Sequence, residues 1–173
     1  LNQIQLIKSK KIKNFKKKYY FIPKYKKEIL VQEANLFCEW YVNKNLSKNK
    51  RKNFNKKFKK IIKILSSSLK IRNKVFVHRD FHVSNLMYVK NRIGVIDSQD
   101  ALIGNRAYDL ASLVDDVRLK TSKTLKDKIF NFYIKSQKKI DKKKMKNDFE
   151  ILSVLRNLKI IGIFSRLAIR DKK

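Results

Sequence analysis

Glycine stands at only three positions among these 173 residues, Gly94, Gly104 and Gly162, and proline only at Pro23. Punctuation this sparse leaves few sites for tight turns, so long helices with short connections are expected. Over residues 28–42, Leu30, Ala34, Phe37 and Tyr41 recur every three to four positions with Ile29, Leu36 and Trp40 beside them, the pattern of an amphipathic helix. Phe54, Phe58, Ile61, Ile62, Leu65 and Leu69 predict a second helix, after a lysine-rich loop and first turn over 44–52. Tyr108, Ala111, Val114 and Val117 predict a third, and two more are expected over 122–138 and 148–169, with Ser122 and Asp148 as N-caps. Residues 1–73 read as helix and loop throughout.

The period changes in one place. Val75, Phe76 and Val77 form a short β-branched and aromatic run, as do residues 86–89 and 92–96. Lys90 and Asn91 separate the last two, a gap short enough for a hairpin. Residues 78–97, HRDFHVSNLMYVKNRIGVID, therefore place Asp80 and Asn85 in a loop at the end of one strand, and Asp97 at the end of another. A two-strand return brings the residue before its first strand close to the residue after its second, so Asn85 and Asp97 are expected to be neighbours. A carboxylate beside a carboxamide and a second carboxylate suits phosphoryl transfer. Asp80 can orient a hydroxyl and accept its proton, while Asn85 and Asp97 offer the oxygen ligands that Mg²⁺ takes on ATP phosphates. His78 and His82 read as scaffold, since no Cys or His cluster points to zinc. Arg79 is open between pairing with a carboxylate and pairing with phosphate. Asp109 opens an apolar helix face, and a buried aspartate there needs donors, for which the loop amides are candidates.

A net charge of +31 would ordinarily point to nucleic acid. Between residues 75 and 118, however, five Lys/Arg face six Asp, so the excess lies outside the motif. Lysine outnumbers arginine 36 to 9, alongside many Asn and Ile, the mark of A/T-rich codons rather than of a partner. The single Cys38 excludes an internal disulfide framework and fits a reducing, cytoplasmic setting. The apolar stretch 151–169 is broken by Arg156, Asn157, Lys159 and Arg166, so no membrane span is expected.

With these residues in view, the chain resembles the aminoglycoside phosphotransferase and choline kinase superfamily, relatives of the protein kinases. Within it, the chain is most similar to bacterial cell-wall sugar kinases acting on the anomeric hydroxyl of N-acetylmuramate and N-acetylglucosamine. HRDFHVSNLM at 78–87, IGVIDSQDALIG at 93–104 and YDLASLVDD at 108–116 carry the resemblance, with softer matches at 28–42 and 161–173. It implies Asp80 as catalytic base, Asn85 and Asp97 as Mg²⁺ ligands, and Asp109 as a brace, with Gln99 and Asp100 toward the substrate side. ATP and Mg²⁺ are the implied cofactors, and a small hydroxyl acceptor, an amino sugar first, the implied partner. The fold expected is α+β and mostly α: a protein-kinase-like carboxyl-terminal lobe, its helical bundle bearing one small hairpin.

Two departures accompany the resemblance. Ser98 stands where the superfamily usually has an aromatic residue, which removes an apolar anchor beneath the metal loop. No glycine precedes Gly94, so the Gly-rich loop and strand lysine that cover ATP phosphates are not legible before Asp80. The expectation is one partial domain over 1–173: helices over 28–70, catalytic loop and hairpin over 75–100, and helices over 104–173, with the amino-terminal lobe missing. Rival readings are an aminoglycoside, choline or homoserine kinase, a pseudokinase, and, from another class, a basic nucleic-acid-binding module. The last needs exposed aromatics among cations, whereas the aromatics here are expected to follow core periodicity.

Overall fold

The computed structural model describes every residue except Ser9, Asn14, Lys138 and Lys173. The short helix α1 (Asn2–Gln5) is followed by β1 (Lys11–Lys13), β2 (Tyr19–Phe21) and α2 (Lys27–Leu36), which runs on through a widened turn, Phe37–Val42, into α3 (Asn43–Asn45). The long α4 (Lys48–Ser67) precedes β3 (Val75–Val77), a 3₁₀ turn at Val83–Asn85, β4 (Leu86–Val89), β5 (Arg92–Val95) and β6 (Leu102–Gly104). Helices α5 (Ala107–Val114), α6 (Lys123–Lys135) and α7 (Lys142–Arg170) complete the order, mostly helical with three small antiparallel sheets among the described residues. Two compact units are distinguished, residues 1–25 with 70–149, and residues 26–69 with 150–173.

The first unit is organised by β3 and β6, paired in the register Val75↔Gly104, Phe76↔Ile103 and Val77↔Leu102, all six buried. On the other side of β6, Ile103 N donates to Pro23 O at 2.8 Å and Tyr25 N donates to Ile103 O at 2.9 Å. Gly104 makes this layering possible, since a Cβ there would lie 3.0 Å from Val77 Cγ2 and 3.3 Å from Tyr25 Cβ. Ile22, Phe76, Ala101 and Ile103 form the apolar cluster on this sheet, and α5 is buried along nearly its whole length. Tyr108 of α5 meets Tyr25 edge to face at 5.1 Å.

Several expectations change here. A three-residue strand carries no period, and without a β-branched run such as the one that marks β3, β6 and the β1–β2 pair lay hidden in sequence read as turn, helix or loop. The β1–β2 strands are exposed on every residue, and Phe15, Tyr19, Tyr20 and Phe21 are open to solvent rather than at core positions. Helix α5 stops at Val114 instead of reaching Val117, because the Asp116 carboxylate takes the Arg118 amide at 3.0 Å and turns the chain out of the helix. Ser122 does cap α6, accepting from Leu125 N at 3.2 Å, while Lys138, the expected end of that helix, lies outside the described residues. Asp148 is no cap. Helix α7 begins six residues earlier, where Asp141 accepts from Lys144 N at 3.0 Å. Asp148 is instead buried inside the helix, accepting from Lys70 N and Ile71 N at 2.8 Å each and from Asn105 Nδ2 at 2.6 Å.

In the second unit α2 buries Leu30 and Ala34, and the widened turn buries Cys38 and Val42. The apolar face therefore runs through Cys38 and Val42, where the sequence pattern placed Phe37 and Tyr41. An i, i+4 stripe drifts by about 40° at each step of an ideal α-helix. The wider turn advances less per residue and cancels that drift. Phe37 is left half-buried, stacked on Tyr41 at 5.1 Å and against Phe58 of α4 at 5.6 Å. Gly162 of α7 lies against the Leu36 backbone, at a separation no side chain would permit. Among the described residues, no helix is long and apolar enough to cross a membrane.

Candidate active site

Strand β3 ends at Val77, and the chain then leaves the sheet through His78, Arg79 and Asp80. Arg79 adopts φ 75°, a left-handed conformation that β-branched or bulky residues avoid, so this exit needs to be held. Asp109 of α5 holds it. His78 N donates to Asp109 Oδ2 at 2.7 Å and Arg79 N to Asp109 Oδ1 at 3.0 Å, so both carboxylate oxygens are spent on consecutive loop amides. Burial drives the Asp109 carboxyl up to about 7, against the downward pull of those two amides and with a further push from Asp80.

The loop then folds on itself. His82 N donates to Asp80 O at 3.1 Å and Asn85 N to His82 O at 3.0 Å, closing the turn that brings Asn85 back toward Asp80. Asn85 is buried, and its Nδ2 donates to Asp80 O at 2.9 Å. That bond consumes a donor hydrogen of the amide and leaves Oδ1 as the acceptor available to a cation. The hairpin does what the spacing requires: Leu86 pairs with Val95, and Ile96 N donates to Asn85 O at 3.1 Å. Lys90 and Asn91 turn it with φ of 45° and 62°, the double left-handed turn that suits a two-residue connection. Asp97 follows Ile96 directly, exposed and at φ 69°. Asp80, Asn85 and Asp97 therefore lie on loops joined through Asn85.

The remaining predicted residues are placed around this centre. His78 is buried, and its Nε2 donates to Ile96 O at 2.9 Å, a direct tie between the two loops. His82 is buried within the loop turn. The Arg79 guanidinium lies 5.7 Å from the Tyr25 ring centroid and donates weakly to Asp100 O at 3.4 Å. Gln99 Nε2 donates to Asp97 Oδ1 at 2.9 Å, so its amide faces the carboxylate two residues back. Asp100 sits exposed in the following turn, where Ala101 N donates to Ser98 O at 3.1 Å.

One residue was not foreseen. Asp116 has a fully buried carboxylate, and its Oδ2 accepts from Val83 N at 3.2 Å, inside the turn that ends in Asn85. Its Oδ1 accepts from Arg118 N at 3.0 Å and from the Arg118 guanidinium at 3.2 Å. Burial pushes this carboxyl up, yet the Arg118 and Val83 amides and the Arg118 charge outweigh it and hold the group below the usual carboxylate range. Helical spacing could not have found it, since Asp116 lies beyond the end of α5, where the chain turns out of the helix.

The donor set suits a hard cation such as Mg²⁺, which takes one or two protein oxygens and fills its shell with water and phosphate. Asn85 Oδ1 and Asp97 Oδ2 supply that number. Among the described residues there is no cluster of three or more His, Cys, Asp or Glu side chains that could hold a metal by themselves.

Residues 28–145, which contain every residue of this site, match the model of the family described as Phosphotransferase enzyme family. A protein of Neisseria meningitidis serogroup B named N-acetylmuramate/N-acetylglucosamine kinase is 36% identical over 160 residues, covering 88% of this chain and 47% of that protein. Proteins of the same name from Pseudomonas aeruginosa and Pseudomonas putida are 33% and 31% identical, with the same 88% and 47% shares. The chain thus spans about half the length of the curated relatives it matches. The chain belongs to the phosphotransferase enzyme family.

Proposed function

We propose that this chain provides the hydroxyl-activating base and the metal ligands of an ATP- and Mg²⁺-dependent phosphotransferase, with an amino sugar of the N-acetylmuramate or N-acetylglucosamine type as acceptor. The observation that carries the reading is the bridge through Asn85, which bonds Asp80 O by its side chain and Ile96 N by its backbone. In this reading Asp80 takes the proton of the acceptor hydroxyl and aligns its oxygen for in-line attack. Asn85 Oδ1 and the Asp97 carboxylate hold Mg²⁺, and Asp109 keeps the loop in its left-handed exit from β3. Bound Mg²⁺ and ATP would supply the phosphoryl group and neutralise its charge. The choice of acceptor is supported by the names of the relatives, and cytoplasmic placement by the ATP requirement and the single buried Cys38.

The chain is read as a kinase-like carboxyl-terminal lobe, one functional unit that contributes the floor of the site. No glycine precedes Gly94, so no Gly-rich loop stands before Asp80, and residues 1–173 alone are expected to turn over little or nothing. ATP consumption by the full-length protein, measured with amino sugars, aminoglycosides, choline and homoserine in parallel, tests the assignment. Selective turnover with N-acetylated amino sugars is expected, whereas equal inactivity with all four classes would sink it. A second reading has one observation in its favour. The exposed aromatics of the β1–β2 segment lie among Lys11, Lys13, Lys16, Lys17 and Lys18, the mixture that single-stranded nucleic acid favours. Salt-dependent retention on DNA, without Mg²⁺–nucleotide binding, would favour that alternative.

A further inference from the structure

We infer that Asp116 is a positioning residue for the metal-binding amide of Asn85, acting through the backbone of Val83; this rests on the phosphotransferase reading. The loop over 78–85 is pinned by buried carboxylates at both ends. Asp109 fixes its start through the amides of His78 and Arg79, and Asp116 fixes its finish through the amide of Val83. The two ends have different tasks. The first sets the direction in which the chain leaves β3 toward Asp80. The second sets the 3₁₀ turn Val83–Asn85, and with it the point from which the Asn85 side chain departs.

Asn85 reaches Asp80 O at 2.9 Å only from that turn, and the same turn lets its carbonyl accept from Ile96 N at 3.1 Å. A small rotation of Val83–Asn85 would shift Oδ1 from the position that the Asp80 bond gives it. Asp116 takes the Val83 amide on one oxygen, and its second oxygen is anchored by Arg118 in turn. Arg118 is partly exposed, its side chain 41% accessible while that of Asp116 is inaccessible, so the anchor reaches from the surface to the metal loop. The carboxylate is thus held from outside and holds the turn inside.

Partners that orient metal ligands typically change metal affinity by about 10–100-fold when removed. In the full-length protein, Asp116→Asn is expected to raise the Mg²⁺ concentration for half-maximal rate by about tenfold or more and leave the KM for the acceptor sugar within about twofold. Two readouts besides turnover accompany it. Mn²⁺ binding to the nucleotide complex, followed by electron paramagnetic resonance, should weaken in parallel, and amide hydrogen exchange should quicken at Val83 and Asn85 while the β3 amides stay protected. Arg118→Gln, a change at a partly exposed position, should move the same quantities in the same direction by less, which keeps the test open if Asp116→Asn fails to fold. Unchanged Mg²⁺ and Mn²⁺ dependence in folded variants would overturn the assignment, as would equal losses for metal and sugar. A wild-type protein that binds no Mn²⁺–nucleotide and transfers no phosphate would overturn the phosphotransferase reading itself, and this inference with it.

Discussion

His78 and Ile96, 18 positions apart, are joined by one hydrogen bond of 2.9 Å from the imidazole Nε2 to the carbonyl oxygen. The bond fixes the proton on Nε2 and ties the residue two before Asp80 to the residue before Asp97. His78 thereby couples the two loops that carry Asp80 and Asp97. His78→Ala should lower stability by about 1–3 kcal/mol, because it removes the hydrogen bond of a buried ring and leaves a void in its place. Chemical denaturation checks the magnitude. His78→Gln, which retains a donor at the end of the side chain, should recover part of it, and identical losses for the two variants would show that packing alone accounts for the effect.

Asp109 and Asp116 give opposite pH signatures. The Asp109 carboxyl is raised from 3.8 to about 7, so the folded state prefers it protonated. Its contribution to stability is fully present below about pH 4 and is lost as pH rises toward 7. Asp116 is lowered, so its contribution is present above the ordinary carboxylate range and is lost as pH falls through its folded value. Urea midpoints measured from pH 4 to 8 should therefore decline less with rising pH in Asp109→Asn than in the wild type. A wild-type-like slope in that variant would remove Asp109 as the titrating group.

How much of this was legible in the sequence differs from element to element. The β4–β5 hairpin was readable because β-branched and aromatic residues flank a two-residue gap, and the nearness of Asn85 to the loop of Asp97 was readable because a hairpin brings its two ends together. Strand β6 was not, since its three residues pair with β3 across 24 intervening positions and show no period of their own. Asp148 was misplaced because an aspartate before an apolar run looks the same whether it caps a helix or is buried within one. The widened turn at 37–42 moved the buried face from Phe37 and Tyr41 to Cys38 and Val42, a change in helix geometry that a fixed 3.6-residue period cannot anticipate.

Asp97, proposed above as a Mg²⁺ ligand, has a left-handed backbone at φ 69°. Asparagine tolerates that conformation better than most residues and keeps an Oδ1 for the Gln99 amide. Asp97→Asn should thus unfold at the same denaturant concentration as wild type or slightly higher, while Mn²⁺–nucleotide affinity falls. A large loss of stability would show that the Asp97 charge serves the fold.

Gly162 tests the packing of the second unit. A Cβ there would fall 2.4 Å from Leu36 C and 2.6 Å from Leu36 O, so backbone must move to admit even a methyl group. Gly162→Ala is expected to cost about 1–3 kcal/mol despite its gain in helix propensity. A stabilised variant would mean that α7 and the end of α2 are not in close contact.

In the proposed reaction everything turns on Asp80, which activates the acceptor hydroxyl. The most direct measurement is steady-state phosphoryl transfer by Asp80→Asn in the full-length protein, with N-acetylglucosamine or N-acetylmuramate as acceptor. A group that acts in the transition state should reduce kcat by about 100-fold or more when replaced, with the sugar KM little changed. A folded Asp80→Asn enzyme with wild-type kcat would contradict the account.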